Sequence, residues 1–414
     1  MKKILILTDR LPYPANSGTK NLLYNYCRIM HEKINYEITN ISFLEEGDDK
    51  SLAPAFIART YVLNKPSNIM KAFNVLKYTV FTKKFPFQVS IYWSEENKKY
   101  IEDIISDEKP NIVMADLVRT AEYLKDFNGY KIIDLQDLLS LRYKRQLGMN
   151  SIDSNPYGAY LYGLPNLLQR ILMMKRVRYQ VLKSESFLLA EYEKKIGTQY
   201  DKAMFVAENE TRIYNEILNG NKAITVPLGV DVEHYAQVYN LEKSKYKIAF
   251  MGMLNVAHNE TGIIHFIEDI FPLVLEKQPK SQLYIIGGGL TKRLKRYETN
   301  NIVFTGEVKD IRSEVGRCRV FVCPLVFGSG IKTKNLEAMA MGVPVVTTSV
   351  GAENINTCPG EICFIEDDNK MFSEQVLKLM EDETLWCDMR KRAFEFVRDK
   401  FSWDVTENVL KEML

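Results

Sequence analysis

The sequence predicts an α/β fold of two doubly wound domains, each a parallel sheet covered by helices on both faces. Three observations carry that expectation. Short apolar runs alternate with segments of helical periodicity throughout the 414 residues, the pattern that strand–helix–strand units leave in a chain. The length exceeds one ordinary domain and suits two of about 200 residues each. The pattern also starts afresh at mid-chain, where PLGVDVEHYA (residues 227–236) reads as a linker and residues 246–252 open a new strand.

Composition narrows the class. A content of 46% hydrophobic and 26% charged residues is that of a soluble globular protein. The apolar run in MKKILILTDR is too short for a signal peptide and reads as a buried first strand. Six cysteines without a CxxC pair imply reduced thiols and a cytoplasmic chain. Cys318 and Cys323, at odd spacing, are expected to face opposite sides of one strand as small core residues. A formal charge of +2 excludes an overall nucleic-acid attractor. His31, His234, His258 and His265 show no pairing with acids or cysteines, and Asp231-x-Glu233 lies at no apolar strand end, so no metal site is expected.

In the first half, strands are expected near residues 3–8, 36–43, 111–115, 131–135, 203–206 and 223–226. Ligands of such sheets bind beyond the carboxyl ends of the strands. At the first of those ends, residues 9–18 form a turn in which Asn16 or Ser17 caps the following helix and Gly18 permits close backbone approach. The strand at 131–135 runs into IIDLQDLLSLRY, where Asp134 and Asp137 at i, i+3 aim Asp137 at the ligand side. Asp116, ending the preceding strand, is the second cleft-facing acid; for both acids the competing reading is a cap or an ion pair to Arg119 or Arg142.

Residues 147–166 are rich in Gly, Asn, Ser, Tyr and Pro and read as a loop near an acceptor. The helix after them carries an apolar stripe (Leu164, Leu167, Leu168, Ile171, Met174, Val177, Val181), with Arg170, Lys175, Arg176 and Arg178 off it. Residues 59–99 hold eight Lys/Arg against Glu95 and Glu96, and residues 142–183 hold eight against Asp153. Two readings stay open for these stretches: solvated faces, or contact with an anionic bilayer at about 1 kcal/mol per cation near the surface.

The second half repeats the pattern. A strand ends at Gly252, and a helix with Ile263, Ile264, Phe266, Ile267, Ile270 and Phe271 at helical spacing follows. QLYII enters Gly287-Gly288-Gly289, NIVFTGEV (301–308) is the next strand and turn, and RVFVCPL (319–325) leads to FGSGIKTKNLEAMAMGVPVVTTS (327–349). That last run reads as a glycine loop, a short helix with Lys332, Lys334 and Glu337, a tight turn and a buried strand. Gly328 and Gly330 leave the backbone N–H groups of the helix start open to a ligand. Those groups and the helix dipole favour an anion by about 0.3–1 kcal/mol, up to about 2 when partly buried. The two lysines add to this, while a carboxylate such as Glu337 accepts hydrogen bonds from a sugar diol. A diphosphate beside a sugar diol suggests a nucleotide.

This run resembles the donor-binding signature of GT-B glycosyltransferases of the family 4 type, in the bacterial surface-polysaccharide branch. LTDRLPYPANSG, PLGVDVEHY, IAFMGMLNVAHN and FSW fall in the expected order, so the resemblance covers nearly the whole chain. It implies two Rossmann-like domains facing across a cleft: residues 1–228 for the acceptor, joined by a returning helix at 400–414, and residues 229–399 for the nucleotide sugar. It further implies retaining transfer from a nucleotide-diphosphate sugar to a glycan or lipid-linked acceptor, without metal or other cofactor, in surface polysaccharide synthesis at the cytoplasmic side of a membrane. Carried over residue by residue, Gly18, Gly252, Gly287, Gly288, Gly306, Val308, Ser329, Gly330, Ile331, Lys332, Lys334 and Glu337 meet the donor. Asp137, Asp116 and Lys334 are the catalytic candidates, and Gln136 and Asp137 the acceptor contacts. Three departures stand out: Gln136 where many relatives have His, Met253 where they have Arg, and Ser329 where they have a second Glu. They keep open a non-catalytic partner protein. A nucleotide-sugar epimerase on the same fold is the other alternative, and the shortage of cleft histidines counts against it.

Overall fold

A computed structural model describes residues 1–15, 18–45, 47–148, 169–170, 173–328, 330–355 and 358–414. Asn16, Ser17, Ser329, most of the polar stretch after Leu147, and Leu164, Leu167, Leu168 and Ile171 lie outside the described residues. The chain divides into two compact units, Met1–Val226 with Val409–Leu414, and Pro227–Asn408.

In the first unit seven strands, β1 (Lys2–Thr8), β2 (Tyr36–Phe43), β3 (Ile57–Leu63), β4 (Ile112–Asp116), β5 (Tyr130–Gln136), β6 (Lys202–Phe205) and β7 (Ala223–Thr225), form a sheet in the order β3-β2-β1-β4-β5-β6-β7. Every pairing is parallel. Helices cover both faces, which is why Ile4, Leu5, Ile6 and Leu7 are all buried rather than alternating. β3 was not expected. It is an edge strand, and its sequence IARTYVL lacks the continuous apolar run that marks the central ones. The tail of the chain returns to this sheet, where Tyr36 donates to the carbonyl of Leu414 at 3.1 Å.

The second unit holds six strands, β8 (Ser244–Met251), β9 (Gln282–Ile286), β10 (Ile302–Gly306), β11 (Cys318–Cys323), β12 (Val345–Thr347) and β13 (Phe364–Ile365), ordered β10-β9-β8-β11-β12-β13 and again all parallel. β13 was not expected, because two residues carry no periodicity. Cys318 and Cys323 are buried as expected but in the same apolar cluster, not on opposite sides. A register shift between Cys318 and Val320 breaks the strand's alternation and turns Cys318 to that side.

Both sheets reverse direction once, at β1/β4 in the first unit and at β8/β11 in the second. The loops leaving those neighbouring strands diverge to opposite faces, and that opening is where a doubly wound sheet accepts a ligand.

Candidate functional site

At the second switch point the chain leaves β8 through Gly252 and β11 through the loop to Lys332. β9 and β10 end beside them in glycines: the Gly252 N–H donates to Ile286 O at 3.0 Å, and the Gly287 N–H to Gly306 O at 3.1 Å. A Cβ on Gly287 would lie 2.2 Å from the carbonyl oxygen of Gly252, so the strand ends close up only because no side chains intervene. The result is a floor of bare backbone.

Cations stand over that floor. Lys332 is the N-cap of the helix Thr333–Ala340, not part of it as the sequence suggested, and its Nζ turns back to donate to Gly330 O at 2.7 Å. Lys334, in the first turn, donates from Nζ to Asn259 Oδ1 at 2.7 Å and rides 4.6 Å from the centroid of the Phe250 ring. Asn259 is fixed in turn, its Nδ2 donating to Met253 O at 3.0 Å. Gly252, at φ +154°, makes room for this pair: a Cβ there would sit 2.8 Å from Asn259 Nδ2 and 3.0 Å from Lys334 Nζ.

The arrangement is rich in positive charge. Burial holds the Lys334 ammonium below its ordinary range, with Cys323 and Glu337 acting in the opposite sense. His258 is likewise held down, first by burial and then by Lys334 and Lys332. Two lysines and an imidazole thus crowd the start of a helix whose dipole also repels cations. An arriving anion would relieve all of these at once.

Glu337 lies one turn beyond Lys334. Burial raises its pKa, while Lys334 and hydrogen bonds with Thr333 and Tyr235 lower it. The Tyr235 contact comes from the linker helix Val232–Ala236 and had no signal in the sequence. Val308 and Ile331 pack at the edge of the apolar cluster beneath, half-buried. Gly288, Gly306 and Gly330 are also partly accessible. Of the donor residues expected in this unit, all but Ser329, which is outside the described residues, therefore line or adjoin the ends of β8–β11.

The first switch point is built differently. Asp9 follows β1 and is fully buried; burial pushes its carboxyl up, but Arg119 and Arg10 outweigh this and hold it below its ordinary value. Asp116 was expected to face a cleft. It is instead 0% exposed, because it is the last residue of a central strand and its neighbours close over it. Its Oδ1 accepts from Gln136 Nε2 at 2.8 Å, so the amide expected to meet an acceptor is engaged inside the protein. Burial, then Asp9 and Asp134, drive the Asp116 pKa well up, and Asp134 is raised by burial to about 7. Leu117 and Gln136, at φ +63° and +60°, are non-glycine residues in the left-handed region at these two strand ends. Asp137 is ion-paired to Arg142, the competing reading of that acid. Gly18, opening the helix Gly18–Glu32, is exposed, with no atom within 4 Å of where its Cβ would stand.

A doubly wound pair of this kind, with a cationic glycine floor at the second switch point, has the architecture of a GT-B transferase. Residues 245–382 match the family described as "Glycosyl transferases group 1". Over its whole length the chain is 24% identical to the full length of an uncharacterized 44.6 kDa protein in the cps region of Klebsiella pneumoniae. It is 27% identical, over 42% of this chain and 47% of the relative, to the capsular polysaccharide biosynthesis glycosyltransferase CapM of Staphylococcus aureus. A phosphatidyl-myo-inositol mannosyltransferase of Mycobacterium tuberculosis is 26% identical over 32% of this chain and 36% of its own length. Among solved structures, Anabaena HepE in complex with UDP superposes with a TM-score of 0.64 at 12% identity, covering 100% of this chain and 99% of that one. Residues 245–382 thus match a glycosyltransferase family on a chain with the GT-B fold, and the protein is a glycosyltransferase.

Proposed function

We propose that the protein is a retaining, metal-independent glycosyltransferase that moves a sugar from a nucleotide-diphosphate sugar to a glycan or lipid-linked acceptor in surface polysaccharide synthesis. The observation that carries this reading is the placement of Lys334 by Asn259 over the glycine floor, beside Lys332 and His258. These groups form a cradle for a diphosphate. The relative named for capsular polysaccharide and the neighbour solved with UDP support the same reading.

In this mechanism the donor diphosphate lies at the start of Thr333–Ala340, its ribose diol on Glu337, and its base near Gly306 and Val308. As the glycosidic bond breaks, negative charge grows on the leaving phosphate. Lys332, Lys334 and the helix N–H groups meet it there, an electrostatic contribution that needs no reorganisation during the reaction. The lysines take the role that a divalent cation plays in other transferases. The acceptor hydroxyl attacks from the face the diphosphate leaves, which preserves configuration. No protein nucleophile is required. The acceptor side falls to the first unit, with Asp137, once released from Arg142, as its available acid. The reading places the enzyme on the cytoplasmic side of a membrane, held at an anionic lipid surface.

Thermal shift against UDP-, GDP-, ADP- and dTDP-sugars in EDTA tests the donor site. A ligand at 100 times its Kd adds about 2.7 kcal/mol of stability. A shift with one nucleotide class is the expected result and names the base. No shift with any class, with divalent metal and acceptor lipid then added, would instead favour a non-catalytic partner.

A further inference from the structure

We propose that the helical segment at residues 68–81 is the surface by which the protein docks on an anionic lipid bilayer. The inference deepens the membrane placement of the proposed function, and it stands on a part of the first unit that the donor site does not use.

The segment runs as a helix from Asn68 to Asn74 and continues as a wider turn from Val75 to Phe81. One side is bolted down. Asn74 is buried and donates to Ser90 O at 3.1 Å and Trp93 O at 2.7 Å, Thr79 bonds Ser90 at 2.8 Å, and Val75 and Tyr78 pack on the core. The other side carries Ile69, Met70, Phe73, Leu76, Val80 and Phe81, with exposures from 48% at Met70 to 85% at Ile69. Six large apolar side chains on one face of one anchored helix form a patch of the kind that marks an interaction site, unlike singly scattered ones.

Charge identifies the occupant. Residues 60–94 contain Lys65, Lys71, Lys77, Lys83 and Lys84 and no Asp or Glu. Lys77 Nζ lies 5.7 Å from the Phe73 ring centroid and 4.8 Å from that of Tyr78, and Lys84 Nζ lies 4.8 Å from that of Phe85. These exposed lysines therefore hold their ammoniums beside aromatic rings, a pairing of cation and ring suited to a boundary between hydrocarbon and headgroups. The helix Lys175–Gln199 reaches the same neighbourhood, its Glu185 accepting from the N–H groups of Phe87 and Gln88. An apolar row edged by cations suits a leaflet of anionic lipid better than an acidic protein, which would leave the row uncovered. Among the described residues no helix is long and apolar enough to cross a membrane, so this contact would be peripheral.

The test is flotation of the full chain with vesicles of phosphatidylcholine alone or mixed with phosphatidylglycerol. The expected result is binding to the mixed vesicles only, weakened by salt. The double variant Phe73→Ser, Phe81→Ser and the double variant Lys77→Glu, Lys84→Glu should each weaken it at least about tenfold. Both variants should keep the wild-type melting temperature and donor-induced thermal shift without vesicles, which separates this failure from failure of the donor reading. Wild type that stays free of mixed vesicles, or variants that float with them like wild type, would overturn the proposal. So would light scattering showing a dimer that both variants dissolve while neither wild type nor variant binds lipid, since the face would then join two copies of the chain.

Discussion

The two switch points have one topology and opposite chemistry. In the second unit the strand ends are glycine backbone, with Lys332, Lys334 and His258 gathered above. In the first unit the corresponding opening is filled with side chains: Asp9 clasped by Arg10 and Arg119, Asp116 held by Gln136, Asp134 buried beside them. One end is lined by bare backbone beneath cations, the other by buried acids clasped by arginine and amide side chains. The difference teaches that a doubly wound sheet supplies a place for a ligand, while the residues at its strand ends decide whether that place binds or braces.

The comparison can be broken by moving one charge at a time. Lys334→Met should have the largest effect, lowering kcat/KM by about 100- to 1,000-fold, the loss seen when one donor to developing charge is removed. The melting temperature should not fall, because the change removes a half-buried cation; a steady-state assay and a melt on one preparation check both. Arg119→Met should do the reverse. It leaves Asp9 buried with Arg10 alone, costing about 3 kcal/mol at the low end for a broken buried pair, with donor affinity unchanged by calorimetry. If it weakened donor binding while stability held, the two ends would not be divided as described. Glu337→Ala should weaken the donor by about 1.5–3 kcal/mol, the worth of hydrogen bonds to a charged group; unchanged affinity would remove the ribose assignment.

The smallest expected effect concerns pH. Because burial raises Asp134 to about 7 in the folded chain against an unfolded value of about 3.9, the folded state keeps a proton that the unfolded state loses between those values. Its contribution is therefore fully present below the unfolded pKa and lost as pH rises through about 7. Asp134→Asn removes this dependence, so its melting temperature should gain on wild type by several degrees between pH 5 and pH 8. Glu185 and Glu193, also raised by burial to about 7, give a background slope of the same sign in both proteins. A gain that does not grow with pH would place the shared proton elsewhere in the cluster.

Much of this was legible in the chain. Continuous apolar runs such as ILIL and RVFVC announce strands buried on both faces, and a glycine loop before IKTKNLE announces a helix start that carries two lysines, because both signals are local. β3 and β13 escaped for the converse reason: an edge strand with Arg59 and Thr60 in it, and a strand of two residues, carry no run to read. The site partners Asn259 and Tyr235 escaped because they lie 75 and 102 positions from the residues they hold.

By itself, then, the order of residues determined the fold class and the glycine-rich strand ends beside which Lys332, Lys334 and Glu337 stand, since each follows from periodicity or from groups a few positions apart. Only the tertiary structure decided that Asp116 is sealed in, that Gln136 is occupied by it, that Asn259 aims Lys334, and that one face of residues 68–81 is left bare. Burial and charge pairing are properties of what packs against a residue, and the packing partners come from distant parts of the chain.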